Sequence, residues 1–73
     1  MLNLANNRLS SFPAVELPSL IYLNLSGNQI FKPIDFSGME SLEQVYLGHN
    51  SLQGTMDISL PQLKVLDLSE NKI

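Results

Sequence analysis

Four asparagines divide this chain at almost equal intervals: Asn7, Asn28, Asn50 and Asn71 lie 21, 22 and 21 residues apart. Each belongs to the same apolar frame. Leu20-x-x-Leu23-x-Leu25-x-x-Asn28-x-Ile30 is one copy, and Leu42-x-x-Val45-x-Leu47-x-x-Asn50-x-Leu52 the next. Leu63-x-x-Leu66-x-Leu68-x-x-Asn71-x-Ile73 is the third, and Leu2-x-Leu4-x-x-Asn7-x-Leu9 enters the frame partway. A fixed period restricts the fold more than any composition does. Each copy is one structural unit that cannot bury its apolar face alone, so the copies must stack on one another.

Within each copy, Leu-x-Leu is alternation with period two. It puts Leu23 and Leu25 on one face of a short strand and Tyr22, Asn24 and Ser26 on the other. Stacked strands form a parallel sheet whose inner face pools Leu2, Leu23, Val45 and Leu66, then Leu4, Leu25, Leu47 and Leu68. The chain bends after each strand, at the asparagine. An amide both donates and accepts, so a ladder of Asn7, Asn28, Asn50 and Asn71 can satisfy backbone groups that the bends would leave unpaired. Leaving such a group unsatisfied costs about 1–3 kcal/mol. Alanine at Asn28 or Asn50 is therefore expected to destabilise more than alanine at Asn24, which reads as solvent-facing.

This frame resembles that of leucine-rich repeat proteins, and the resemblance covers essentially the whole chain. It implies an α/β solenoid: a horseshoe segment with a short parallel β-sheet on the concave face and extended or 3-10 returns on the convex face. The repeats would cover about 1–19, 20–41, 42–62 and a truncated 63–73, one partial domain without visible caps. Leu52-x-Gly54-x-Met56 and Leu66-Asp-Leu-Ser-Glu-Asn71 resemble plant receptor-type repeats. The 21–22-residue period is shorter than theirs, and Asp35 and Asp57 stand where those repeats carry proline. Repeats this short, and the Leu9-x-x-Phe12-Pro13 stretch, look more like those of intracellular scaffolds or bacterial proteins.

The returns vary more. Each has only about ten residues, fewer than a mean α-helix needs, and Pro13, Pro18, Pro33 and Pro61 oppose long helices. Phe12, Ile34, Phe36, Met39, Met56, Ile58 and Leu60 are spaced to cover the far side of the core. Residues 36–41, in the 22-residue repeat, are the best candidate for a helical turn.

The outward positions fall into columns: Met1, Tyr22, Gln44 and Val65, then Asn3, Asn24, Tyr46 and Asp67. Ala5, Ser26, Gly48 and Ser69 follow, and then Asn6, Gly27, His49 and Glu70. The resemblance implies that this strand face is a surface for a protein or peptide, as a segment of a receptor or scaffold. Tyr22, Asn24, Gln44, Tyr46, His49 and Asp67 are the candidate contacts, since aromatic residues dominate interface hot spots. Tyrosine is also favoured in strands by propensity alone, which leaves a second reading: a structural segment that extends a solenoid whose binding or catalytic parts lie elsewhere. Four strands ~4.8 Å apart, each running ~17 Å, give a face of ~240 Å² before side-chain relief, against ~800 Å² per partner in a standard interface. Such a segment is a slice of a recognition surface.

Asn24-Leu25-Ser26 is the sole N-glycosylation sequon. It marks Asn24 as a glycan acceptor in a secreted protein, or is the repeat pattern with common polar fillers. His49 is the only histidine, cysteine is absent, and no Gly-x-Ser-x-Gly elbow or glycine-rich phosphate cradle is present, so the chain does not read as an enzyme. No cofactor is implied. His49 and Glu70 share a column, where a weak surface pair is expected. Asp35 and Asp57 stack one turn apart, as turn caps more than as a calcium site.

A net charge of −3 with four cations offers no phosphate-binding stripe for nucleic acid, and no apolar run approaches the ~20 residues needed to insert in a membrane. The compartment follows from the parent protein: the cell surface for a receptor, the cytoplasm for a scaffold. Leu2 and Leu4 at one end, with Leu66, Leu68 and Ile73 at the other, would face water. The isolated chain is expected to be marginal or to pair end to end, as three turns of a longer solenoid.

Overall fold

The computed structural model describes residues 1–54 and 58–73, so the expectations for Met56 and Asp57 lie outside the described residues. Four short strands, β1 (Leu2–Asn3), β2 (Tyr22–Asn24), β3 (Gln44–Tyr46) and β4 (Val65–Asp67), form one sheet in chain order. All three pairings are parallel. Leu2 pairs with Leu23, Leu23 with Val45 and Val45 with Leu66, while Asn3, Asn24, Tyr46 and Asp67 align as the next column. The periodic frame is thus the sheet register itself. The strands are short because alternation lasts only from the residue before Leu-x-Leu to the bend. The inter-turn ladder nevertheless continues past them, through Leu25 N–H to Tyr46 O at 2.8 Å and Leu47 N–H to Asp67 O at 2.8 Å.

Behind the sheet lies one continuous core. Leu23, Leu25, Ile30, Met39, Leu42, Val45, Leu47 and Leu52 are fully buried, joined by Ile34, Phe36 and Leu60 from the returns. Phe12 and Ile58 pack against it half-buried. Burial falls off along the stack. Leu66 is 39% exposed and Ile73 61% exposed, whereas the register partners Leu23 and Val45 are wholly buried.

The returns hold turns instead of helix. The expected helical turn at residues 36–41 is two separate turns, closed by Met39 N–H to Phe36 O at 2.9 Å and Leu42 N–H to Met39 O at 3.3 Å. These bonds start three residues apart, so they do not propagate as the consecutive bonds of a 3-10 helix would. The second turn recurs in each repeat. Leu20 N–H bonds Leu17 O at 3.1 Å, and Leu63 N–H bonds Leu60 O at 3.2 Å. Pro18 and Pro61 occupy the second position of these turns, where their fixed φ is favourable. Among the described residues no helix is long and apolar enough to cross a membrane.

Gly38 shows how closely the returns stack. Its carbonyl accepts the Leu17 N–H at 2.9 Å. A Cβ there would overlap the Val15 carbonyl oxygen and stand 3.2 Å from Glu16 Cα, backbone atoms that cannot rotate away. Gly38→Ala is expected to cost about 1–3 kcal/mol as overpacking, read as a lower urea midpoint at unchanged slope. Gly54→Ala is the comparison: open space surrounds it, and its φ of +78° carries the only penalty, about 1 kcal/mol.

Candidate functional site

The bend that ends each strand has a common geometry. Asn6, Gly27, His49 and Glu70 all have positive φ, between 54° and 69°. This left-handed residue turns the chain so that the next one, the ladder asparagine, points inward. Asn50 Nδ2 donates to Leu47 O at 3.1 Å and Gly48 O at 3.3 Å in its own turn, and to Leu25 O of the preceding turn at 3.0 Å. Its Oδ1 accepts the Ile30 N–H at 3.1 Å. Asn28 repeats the set with Leu25 O, Ser26 O, Leu4 O and the Leu9 N–H. Asn71 does so with Leu68 O, Ser69 O, Leu47 O and the Leu52 N–H. Among the described residues Asn7 bonds only Leu4 O and Ala5 O, and it is exposed. Among the described residues every buried side-chain nitrogen and oxygen has a partner.

On the outward face, Tyr22 and Tyr46 meet diagonally across β2 and β3. Their ring centroids are 5.4 Å apart and the planes tilt by 45°, within the range of favourable aromatic pairs. Each hydroxyl is held by an amide on its own strand. Asn24 Nδ2 donates to the Tyr22 hydroxyl at 3.3 Å, and the Tyr46 hydroxyl donates to Gln44 Oε1 at 3.1 Å. Four of the candidate contacts therefore form one half-buried cluster. Asp67 is the register partner of Tyr46 on β4.

Asn24 lies on the outward face, and its side chain is tied into its own turn. Its Oδ1 accepts the Ser26 N–H at 3.0 Å and the Ser26 hydroxyl at 2.6 Å. Asn3 and Asp67 close the same turn, with the Ala5 N–H at 3.1 Å and the Ser69 N–H at 2.9 Å. Outside the sheet, Asp35 does likewise with the Ser37 N–H at 2.9 Å. Asn or Asp followed two residues later by a small residue was the available sequence signal, since these side chains bond their own backbone two residues on. The sequon geometry is this turn; Asn24 carries it in the middle of the strand face, beside the tyrosines.

The expected His49–Glu70 pair does not form: neither residue bonds the other. Both sit exposed at left-handed positions past the strand ends. The carboxylate that His49 influences is Asp67. The Ser69 backbone N–H, and then its hydroxyl, hold the Asp67 carboxyl below the usual carboxylate range. Desolvation opposes this, and the His49 charge adds a weaker lowering. Asp35 is lowered in the same way, by the Ser37 backbone N–H and then its hydroxyl. Both are therefore ionised at neutral pH. Val65, in the outward column of Met1, Tyr22 and Gln44, was not among the candidate contacts. It is 40% exposed beside Gln44, its register partner, on the face that holds the tyrosines.

Comparison with known proteins agrees with this geometry. The family model for leucine-rich repeats, in two copies, matches residues 1–38, just over half of the chain. Tsukushi of Gallus gallus is 41% identical over 78 residues, covering 96% of this chain and 21% of that protein. Mimecan of Coturnix japonica is 36% identical over 99% of the chain and 26% of its own length. A leucine-rich repeat serine/threonine-protein kinase of Caenorhabditis elegans is 39% identical over 97% of the chain, which spans 3% of the kinase. The chain thus spans about a quarter or less of these relatives. No solved structure matches it significantly. With the period, the parallel sheet and the asparagine-lined bends in common register, the chain belongs to the leucine-rich repeat family.

Proposed function

We propose that the strand face of this chain binds a protein or peptide, centred on the Tyr22–Tyr46 pair. The observation that carries this reading is the pre-ordering of that pair. Two large aromatic side chains lie half-buried in ring contact, with both hydroxyls already bonded to neighbouring amides. Rings held in place lose little rotamer freedom when a partner covers them, so more of the contact energy becomes affinity. A chain whose strand face merely extended a solenoid would need no such cluster. The relatives belong to a family of repeat proteins built around such sheets, which supports the same choice.

The test uses the protein that carries the chain at its natural length. Alanine at Tyr22 and Tyr46 together is expected to weaken partner capture about tenfold or more, a typical hot-spot loss, with a thermal melt that is lowered by the lost ring contact but still cooperative. Single alanines at His49 and Asp67 should do less. Undiminished capture after all four changes, with folding intact, would favour the structural reading in which other repeats bind.

A further inference from the structure

The four bends share one backbone conformation but not one kind of residue. Asn6, Gly27, His49 and Glu70 occupy the same position, with φ of 59°, 69°, 55° and 54°. The stack imposes this conformation. Asn6 donates its backbone N–H to Ser26 O at 2.8 Å, Gly27 to Gly48 O at 2.9 Å and His49 to Ser69 O at 2.9 Å. The ladder asparagine that follows each bend ties it to the turn before, as in Asn50 Nδ2 to Leu25 O. No side chain is needed at the bend itself, since Gly27 adopts the same geometry without one.

A side chain in this position meets the steric penalty of left-handed backbone. Glycine escapes it, and asparagine and histidine are tolerated better than most residues. Glutamate is not among them. Among the described residues, neither the Glu70 nor the His49 side chain makes a hydrogen bond or an ion pair, and both are exposed. Strain at Glu70 is therefore offset by no contact that the carboxylate makes within the described chain. Local conflicts of this kind concentrate where a side chain serves recognition.

The place of the two residues fits such a role. His49 follows Tyr46 by three residues, and Glu70 follows Asp67 by three, so both stand ~10 Å along the strands from that row. The column between is Ala5, Ser26, Gly48 and Ser69, all small. A partner lying on the tyrosines thus reaches the bend rim without an intervening large side chain.

We propose that Glu70, with His49 on the adjacent turn, is a specificity-determining contact of the strand face. Its carboxylate accepts hydrogen bonds from N–H groups of the protein or peptide that covers the tyrosine pair. This rests on the protein-binding reading above and adds a second requirement to it: a donor on the partner ~10 Å from the aromatic contact. Glutamate suits the task because a carboxylate only accepts, and its bonds are roughly twice as strong as neutral ones.

The experiment joins two readouts on the protein that carries the chain at its natural length. Glu70→Asn places at the fourth bend the residue that the first bend already holds at φ 59°. Its thermal midpoint is expected to rise by a few degrees as the strain is relieved. The binding probes are random peptides displayed on phage and selected on the unmodified protein, keeping those that lose binding on Tyr22→Ala with Tyr46→Ala. Glu70→Asn is expected to weaken them about tenfold, the loss of a charge-assisted bond, and His49→Asn less.

A midpoint that rises while binding falls supports the proposal, because a purely structural side chain would move the two together. A midpoint that does not rise removes the strain and overturns it. If tyrosine-dependent peptides are indifferent to Glu70→Asn, the rim contact falls and the binding face stands. If no selected peptide depends on the tyrosines, the binding face falls and the rim contact with it.

Discussion

Asn50→Ala is expected to lower the stability of the chain by about 3 kcal/mol, a shift of the thermal midpoint on the order of 15 °C for a domain of this size. The reason lies in which partners survive. Leu25 O and Leu47 O retain the amides of Asn28 and Asn71, at 2.9 Å in both cases, and Gly48 O keeps the Gly27 N–H at 2.9 Å. The Ile30 N–H keeps nothing. Its bond to Asn50 Oδ1 is buried, and an orphaned buried donor carries its full desolvation penalty. Removing a packed side chain from a site 8% exposed adds a cavity.

The same substitution at Asn7 should cost less than about 1 kcal/mol, because its two bonds are exposed and orphan no buried donor. Asn24→Ala falls between, at about 1 kcal/mol, since it breaks the turn bonds with Ser26 where water can replace them. Urea midpoints for the three variants check the order. A value for Asn50→Ala as small as that for Asn7→Ala would contradict the role given to the ladder.

Leu47→Ala is expected to cost about 3–4 kcal/mol, while Leu66→Ala should cost about 1 kcal/mol. Both leucines belong to the same periodic frame, so a sequence pattern alone would rank them equally. Leu47 is wholly enclosed between the second and fourth turns, and deleting its branched end leaves a void that the surrounding leucines cannot fill. Leu66 is already 39% exposed. Water reaches its site, and little cavity forms.

For a chain of 73 residues, total stability is on the order of 4–11 kcal/mol. Leu47→Ala therefore removes a large share, and a measurable unfolded population is expected near body temperature. Circular dichroism melts of the two variants, with the unfolding slope in urea as a control for two-state behaviour, provide the comparison. Similar losses at the two positions would mean that burial at Leu47 is not the source of its contribution.

Much of this architecture was legible because it is local and repeated. The spacing of Asn7, Asn28, Asn50 and Asn71, and the alternation around Leu23, Val45 and Leu66, specify which residues face in, which face out and where the chain bends. Four copies in register leave little room for another pairing, and the sheet follows them position by position. The return segments were less legible. Residues 36–41 carry a composition compatible with a helical turn, yet the Leu17 N–H to Gly38 O bond and the contact of Gly38 with Val15 hold the chain in separate turns. That contact joins residues more than twenty positions apart, and no local propensity reports it.

The candidate site divides in the same way. Sequence alone placed Tyr22, Asn24, Gln44, Tyr46 and Asp67 on one face, because side chains alternate across a strand whatever lies beside it. It also placed His49 and Glu70 in one column, which the common bend keeps, but the side-chain pair expected there does not form. Both residues adopt left-handed φ at the bend, where direction is set by the turn and not by strand alternation. Only the tertiary structure brought Tyr22 and Tyr46 into ring contact, turned Asn24 and Asp67 back onto the serines that follow them, and placed Asp67 over Gly48. The physical reason is common to all three. A repeating pattern dictates position along and across the sheet, whereas contact between side chains depends on the rotamer and hydrogen bond each selects once its neighbours on adjacent turns are in place.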